Sequence, residues 1–254
     1  MVYRKTDSVE ARLADNRKRI LAAARSLVSE GGWPEAQVSN VAAAAGLATG
    51  TVYRYFPSKA ELFVEVLSTV SQREVDVLDA IANGSEPAPQ RLHAAVNAFV
   101  KRAMLNRRLA YALIAEPCDP EIDQARLIYR HAISKQIMRI VGDGQATGAF
   151  RADLDASIAA TVIVGGFMEG LIGPLSPLNA DFGGAGQNAE AVRTLASDIA
   201  DICCAAVAPA RANVSRLKPP VTPSRGNVSR FKPPMTPSRG NLSRFKPPAD
   251  PARR

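Results

Sequence analysis

The chain is poor in the side chains that build covalent or metal-centred scaffolds. Its 254 residues hold 3 cysteines, Cys118, Cys203 and Cys204, and 2 histidines, His93 and His131. So few cysteines, with Cys203 and Cys204 adjacent, cannot lay out a disulfide framework. Cys118 and His131 follow no recurring ligand spacing, so no metal site is expected. The short signatures of common enzymes are missing as well: a Gly-rich phosphate loop, a Gly-x-Ser-x-Gly elbow, a His-Glu-x-x-His pair, and any nucleophile with a base at motif spacing. Neither catalysis nor a bound cofactor is expected. No charged-then-apolar leader opens the chain. The strongest membrane candidate, SIAATVIVGGFMEGLIGPL from Ser157 to Leu175, is interrupted by Glu169, several glycines and Pro174. A packed internal helix of a cytoplasmic protein is the expectation, with no membrane partner.

Acidic charge is scarce in one place only. Of 32 basic and 24 acidic residues, 11 basic residues and only Asp250 among the acids lie at or beyond Arg211. The end of the chain therefore carries +10, and the rest is −2, which together give the overall +8. The high isoelectric point belongs to this tail and says nothing about the remainder. The tail is also a repeat: NVSRLKPPVTPSRG (213–226) recurs as NVSRFKPPMTPSRG (227–240), and NLSRFKPPA begins the unit again. Pro-Pro and Thr-Pro pairs every few residues stop helix and strand alike, and large apolar groups are few. Residues 209–254 are expected to be a disordered basic tail. Its Asn-Val-Ser and Asn-Leu-Ser triplets match a glycosylation pattern that a cytosolic chain never exposes to the machinery.

Ahead of the tail the pattern is helical almost throughout, with Gly and Pro as punctuation. Leu13, Ile20, Leu21, Ala24, Leu27 and Val28 recur at helical spacing between Val9 and Ser29, and Gly31-Gly32 ends the run. VSNVAAAAG (38–46), a tight Gly-containing turn and TGTVYRYF (49–56) follow. Two short helices joined in this way are the minimal description of a helix-turn-helix. Pro57 stops the third helix, and Ser58-Lys59-Ala60-Glu61 forms a capping box for a fourth that runs to about Ala80. At about 100° per residue, Val52 and Phe56 share a core face, while Thr49, Gly50, Tyr53 and Arg54 share the opposite one. Hydroxyls, a glycine, an aromatic with a polar tip and a guanidinium suit a groove of base edges flanked by phosphates. The same residues could also decorate a solvated helix.

NRKRILAAARSLVSEGGW and AAAAGLATGTVYRYFPSKAELFVEVL, within residues 16 to 70, resemble the N-terminal DNA-binding domain of the TetR family of bacterial transcriptional regulators. The resemblance implies an all-α homodimer. Each subunit would carry a three-helix helix-turn-helix head (13–80, motif 37–56), a ligand-binding and dimerisation body (89–208) and, ahead of the head, a flexible arm (1–12). Arg4, Lys5 and Arg12 of that arm could follow the minor groove. The family pattern puts Thr49, Gly50 and Tyr53 near base edges. It puts Thr51, Arg54, Tyr55 and Lys59 near phosphates, Lys59 beside the amides that open the fourth helix. Gln37 and Ser39 are weaker candidates for backbone contacts. Gln37 stands where the family has Thr, and because Gln is a poor N-cap, Ser39 is the alternative cap.

ANGSEPAP (82–89) links head to body. Pro89 suits the first turn of a helix carrying Leu92, Val96, Phe99 and Val100, and Asp119-Pro120 is a similar start signal. Apolar segments from Ala156 to Leu171 and from Ala189 to Val207 are expected to pair with their symmetry mates, with Gly165, Gly166 and Gly170 admitting close approach at the dimer interface. The candidate effector contacts in the body are Phe99, Glu116, Arg130, His131, Met168 and Glu169. Glu169 stands out because a buried carboxylate needs a partner. His93 and Arg126 also lie on helices that could border a cavity.

The function expected is a repressor that binds double-stranded DNA at a palindromic operator and responds to a small-molecule effector. The alternatives are an architectural DNA binder whose affinity comes from the tail, and an enzyme. The repeats differ only at Leu217 against Phe231 and Val221 against Met235, so the tail has the character of a duplicated coding segment. Truncation after Pro209 should leave melting temperature and operator preference unchanged. Affinity for random duplex should fall several-fold at low salt and hardly change once the Debye length drops below about 10 Å. Fluorescence anisotropy across a salt series on operator and scrambled duplexes checks this, and loss of operator preference would place the repeat in the recognition machinery.

Overall fold

The computed structural model describes residues 7–179 and 189–209. The first residues of the expected arm, the loop from Ala180 to Asn188 and the repeat tail lie outside the described residues. Among the described residues the fold is all-α, with nine helices and no strand: α1 (Asp7–Gly31), α2 (Val38–Ala45), α3 (Thr49–Tyr55), α4 (Lys59–Ala82), α5 (Ala88–Leu105), α6 (Arg107–Ile114), α7 (Pro120–Ala146), α8 (Ala156–Leu175) and α9 (Ala189–Val207). Helix α1 starts at Asp7, inside the stretch expected to be a flexible arm, because no Gly or Pro interrupts residues 8 to 13. Arg12 is therefore a helical residue.

The head packs around Ile20, Ala24, Val28, Val41, Val52, Phe56, Leu62 and Phe63, all fully buried. Its turns follow backbone chemistry. Gly46 adopts the left-handed conformation (φ 65°) that closes α2, and its N–H reaches the carbonyls of Ala42 and Ala43. Gln37 occupies the N-cap of α2 with no side-chain cap, its amide instead donating to the Pro34 carbonyl at 2.9 Å. Ser39 lies inside the helix and is not the alternative cap. Ser58 caps α4 by accepting from the Glu61 N–H at 3.0 Å. The reciprocal arm of the expected box is replaced: the Glu61 carboxylate accepts from the Ser58 hydroxyl at 3.4 Å.

The body core gathers Leu92, Val96, Val100, Met104, Ile137, Ile140, Phe167 and Leu171 from α5, α7 and α8. Helix α8 is long and apolar enough by composition to cross a bilayer, yet its Ala160, Ile163, Phe167 and Leu171 are buried in this core. Asp119 stands at the N-cap of α7 without the side-chain bond expected of it, while Asp155 does cap α8, accepting from the Ile158 N–H at 2.9 Å. Burial pushes the Cys203 and Cys204 thiols up to about 11.

Head and body share one seam. Leu109 and Ala112 of α6 and Ile122 and Ala125 of α7 are buried in the head's core, not the body's. At the end of α1, Gly32 turns with φ 78°, and a Cβ there would meet Arg108 Nη2 at 1.6 Å. That turn sends Trp33 across the seam. Its ring meets Phe63 edge-on with centroids 5.6 Å apart, its indole N–H donates to the Ala112 carbonyl at 2.9 Å, and its backbone N–H donates to Glu116 at 3.0 Å. Arg108 completes the clasp by donating to the Gly31 carbonyl at 2.7 Å and pairing with Glu116. Trp33→Phe keeps an aromatic ring and loses one hydrogen bond, and because Ala112 retains a second donor in Arg126 the expected cost is about 1 kcal/mol. Trp33→Ala should cost about 3–5 kcal/mol. Urea unfolding measures both, and equal costs would mean that packing of the ring adds nothing to the seam.

Candidate functional site

The outward face of α3 holds the expected set. Thr49, Gly50, Tyr53 and Arg54 are exposed, and Tyr53 is one of the few large aromatics at the surface, 46% accessible. The opposite residues Val52 and Phe56 are buried as periodicity requires. A Cβ at Gly50 would meet nothing within 4 Å, so the protein's own packing gives no reason for glycine at that position. Thr51 and Tyr55 are half-buried, and the Tyr55 hydroxyl accepts from Asn16 at 3.1 Å, which ties α3 to α1. Lys59 sits at the first turn of α4 with its ammonium 5.9 Å from the Phe63 ring centre. Gln37 and Ser39 are exposed at the start of α2.

A cavity of about 240 Å³ lies between the seam and the body. Its walls are largely apolar, and Phe99, Met168, Leu113 and Tyr129 are among them. Charged groups also enter: Arg25 from α1, Arg102 and Glu74, which pair at 2.8 Å, and Arg126 and Arg130 from α7. The Glu74 carboxylate holds the Arg102 guanidinium above its usual range. Of the residues expected to contact an effector, Phe99, Arg130 and Met168 line this space. Glu116, His131 and Glu169 do not. Glu116 is committed to the Trp33 clasp. His131 is exposed on α7, and Glu169 is exposed on α8, so the expectation of a buried carboxylate with a partner is overturned. His93 instead stands 3.5 Å from Asp201.

The arginines do structural work that spacing alone could not reveal. The last carbonyls of a helix have no partners within it, and α6 ends in the protein interior. Arg126 donates to the carbonyls of Ala112 at 3.1 Å, Leu113 at 2.9 Å and Glu116 at 2.9 Å, while Arg130 reaches that of Ile114 at 3.2 Å. Cations at a helix C-terminus also complement its dipole. Trp33 holds the same helix end from the head side. Arg130 differs from Arg126 in one respect: its Nε is buried with no hydrogen-bond partner. An unpaired donor in such a place is costly. The residues missed from sequence are thus Trp33, Arg108, Arg25 and the Arg102–Glu74 pair. The available signal was the single tryptophan directly after Gly31-Gly32.

A second apolar surface lies on α8. Ile158, Val162, Gly165, Gly166 and Glu169 form one exposed stripe, with Ile158 67% and Val162 62% accessible, and Ile202 of α9 is 70% accessible. Cβ atoms at Gly165 and Gly166 would meet nothing. Gly170 differs, since a Cβ there would sit 3.4 Å from Ile199 of α9 in the same chain.

These features define an all-helical protein with a helix-turn-helix head seated on a cavity-bearing body. Residues 20–66 match the sequence model of the bacterial regulatory proteins of the tetR family. It is 34% identical over 143 residues to the HTH-type transcriptional repressor KstR of Mycobacterium tuberculosis, an alignment that spans 52% of this chain and 61% of that repressor. It thus covers less than two thirds of that relative's length. It is 48% identical over 59 residues to the KstR repressor of Rhodococcus jostii, 23% of this chain and 28% of the relative. Its fold matches that of the transcriptional regulator FadR from Bacillus subtilis in complex with stearoyl-CoA, with a TM-score of 0.62 at 19% identity, covering 75% of this chain and 98% of the other.

The two arginines at the end of α6 should respond differently to removal. Arg130→Met leaves one carbonyl, that of Ile114, without its donor but also removes a buried orphan donor, so the net loss should be about 1 kcal/mol or less. Arg126→Met leaves the Leu113 and Glu116 carbonyls unpaired and should cost on the order of 1–3 kcal/mol. Urea unfolding of both variants decides it, and an equal loss in the two would show that Arg130 is only a structural cap.

Proposed function

We propose that the protein is a ligand-responsive transcriptional repressor that binds a palindromic operator as a homodimer and leaves it when a small-molecule effector enters the cavity. The observation that carries this reading is the shared support of α6: Trp33 of the head and Arg126 and Arg130 of the cavity wall hold the same helix end. An effector that draws Arg130 toward itself changes the support of the carbonyls from which the head is suspended. The effector then favours one placement of the head by its differential affinity for the two states.

In this reading Thr49, Gly50 and Tyr53 approach base edges, and Thr51, Arg54 and Lys59 approach phosphates. Tyr55, through its bond to Asn16, orients α3 and offers only its edge to the backbone. Gln37 and Ser39 flank the duplex from the start of α2. The α8 stripe, with Gly165 and Gly166 open on it, is the dimer interface. Gly170 serves packing against α9 more than contact with the partner. Phe99 and Met168 bound the effector, and the apolar walls with a guanidinium whose buried Nε has no partner suit a molecule with a long apolar part and an anionic end. The stearoyl-CoA complex of the B. subtilis FadR fold supports an effector of that kind. The relatives named as transcriptional repressors support the direction of control, which would be exercised in the cytoplasm where the DNA lies.

Selection from a random duplex library tests the reading directly. It should return one inverted repeat, and Arg54→Ala should weaken binding to every duplex while flattening the salt dependence by about one unit of slope. A library that returns no shared sequence would sink the operator reading in favour of an architectural binder.

A further inference from the structure

Helices α1 and α4 leave a groove of about 400 Å³ between them on the head. Its α1 side is Ala14, Lys18, Leu21, Ala22 and Arg25, and its α4 side is Val66, Thr69 and Arg73. Both sets advance by three, four or seven residues, the spacing of a helix face that packs on another helix. Val66 is buried and Leu21 half-buried in the head's core, which makes an apolar floor. Ala14 and Ala22 are exposed, and side chains so short leave the groove unfilled. From Ala14 to Arg25 the face runs for about 16 Å, three turns of α-helix.

The rim of this groove is cationic. Arg17 is neutralised by Glu65, but among the described residues Lys18, Arg25 and Arg73 form no ion pair. No acid belongs to the lining. Lys18 and Arg25, seven positions apart, lie about 10 Å from each other along one side of the floor, and Arg73 stands on the other helix.

We infer that the α1–α4 groove is the docking site for an acidic amphipathic helix of a partner protein, which lays its apolar seam over Leu21 and Val66 and sets its carboxylates against Lys18, Arg25 and Arg73. Shape and charge together select this occupant. A helix brings an apolar stripe and flanking charges at the same spacing as the groove offers them, and rim charges of one sign reject a basic or neutral helix. A DNA duplex brings phosphates but no apolar face, so it would leave the floor unused, and the DNA face lies on α3. The exposed apolar stripe on α8 of a second copy carries one carboxylate, Glu169, against three unpaired cations. The inference goes beyond the effector reading and does not depend on it. A helix seated across α1 and α4 would fix the spacing of two helices that frame the head, one of which leads directly into Gly32 and Trp33 of the clasp, and it would act from outside the cavity.

Fluorescence anisotropy on the full chain tests the inference. The probe is a labelled synthetic helix of about 14 residues, four turns, with Leu along one face and Glu on both flanks of that face. A scrambled peptide of the same composition and a copy with Lys in place of Glu are the comparisons. The basic tail attracts both acidic peptides alike, so the ratio of their affinities isolates the groove. Wild type should bind the patterned peptide at least about tenfold more tightly than the scrambled one. Lys18→Glu/Arg73→Glu alters two exposed residues outside the effector cavity, and circular dichroism confirms that the variant is folded. It should lose that preference and bind the Lys peptide about fivefold more tightly than wild type does. A wild type that binds patterned and scrambled peptides alike, or a variant that keeps the preference, overturns the inference. The neutral variant Lys18→Ala/Arg73→Ala separates the other occupants, and it should keep operator affinity within about twofold and leave the oligomeric state unchanged. A weaker operator complex with a flatter salt dependence would assign the groove to DNA, and a change in oligomeric state on sedimentation would assign it to contacts between copies of this chain. Either result overturns the inference as well.

Discussion

The C-terminus of α6 is a helix end buried between two domains, and its carbonyl oxygens are the constraint on which the rest depends. Inside a protein an unpaired carbonyl costs on the order of 1–3 kcal/mol, so each must be met by a donor from elsewhere. Here the donors come from both sides of the seam. Trp33 enters from the head, Arg126 and Arg130 from α7. Gly32 makes the head's contribution possible, because its positive φ and the close approach of Arg108 exclude any side chain at that turn. Removing the clasp would leave the head attached chiefly through α4 and the apolar faces of α6 and α7.

Using arginines as helix caps has a consequence for the cavity. Guanidinium groups keep their charge under all ordinary conditions, so the wall of an apolar space is permanently cationic at its α6–α7 corner. Arg126 spends its donors on carbonyls and on Asp123, and Arg102 is matched by Glu74. Arg130 alone of these retains an unspent buried donor. Arg126 and Arg130 thus cap the same helix end from positions one helical turn apart, and the difference between them is one of hydrogen-bond satisfaction, not charge.

The α8 surface follows a different logic. Its inner side is as well buried as any core helix, while its outer side exposes Ile158 and Val162 beside open glycines. Exposed large apolar residues grouped on one stripe mark an interaction surface more often than scattered single ones do. The low mean amphipathicity of such a helix is what makes it resemble a membrane span on composition alone.

Local chemistry decided what the sequence could announce. Turn glycines, the Ser58 cap, the stop at Pro57 and the helical spacing of apolar residues are set within a few residues of one another, so the helices, the helix-turn-helix and the outward face of α3 were legible in the order of amino acids. Short-range signals still misplaced some details, such as the start of α1, the cap of α2 and the silent Asp119. Only the tertiary structure decided the rest. Whether Glu116, His131 or Glu169 faces a cavity depends on which neighbour a helix packs against, and a charged residue at helical spacing carries no record of that. The clasp joins Trp33 to Ala112 and Glu116, far along the chain, and the groove joins α1 to α4 across the head. Contacts between distant segments arise from packing the helices, and spacing along the chain holds no information about them.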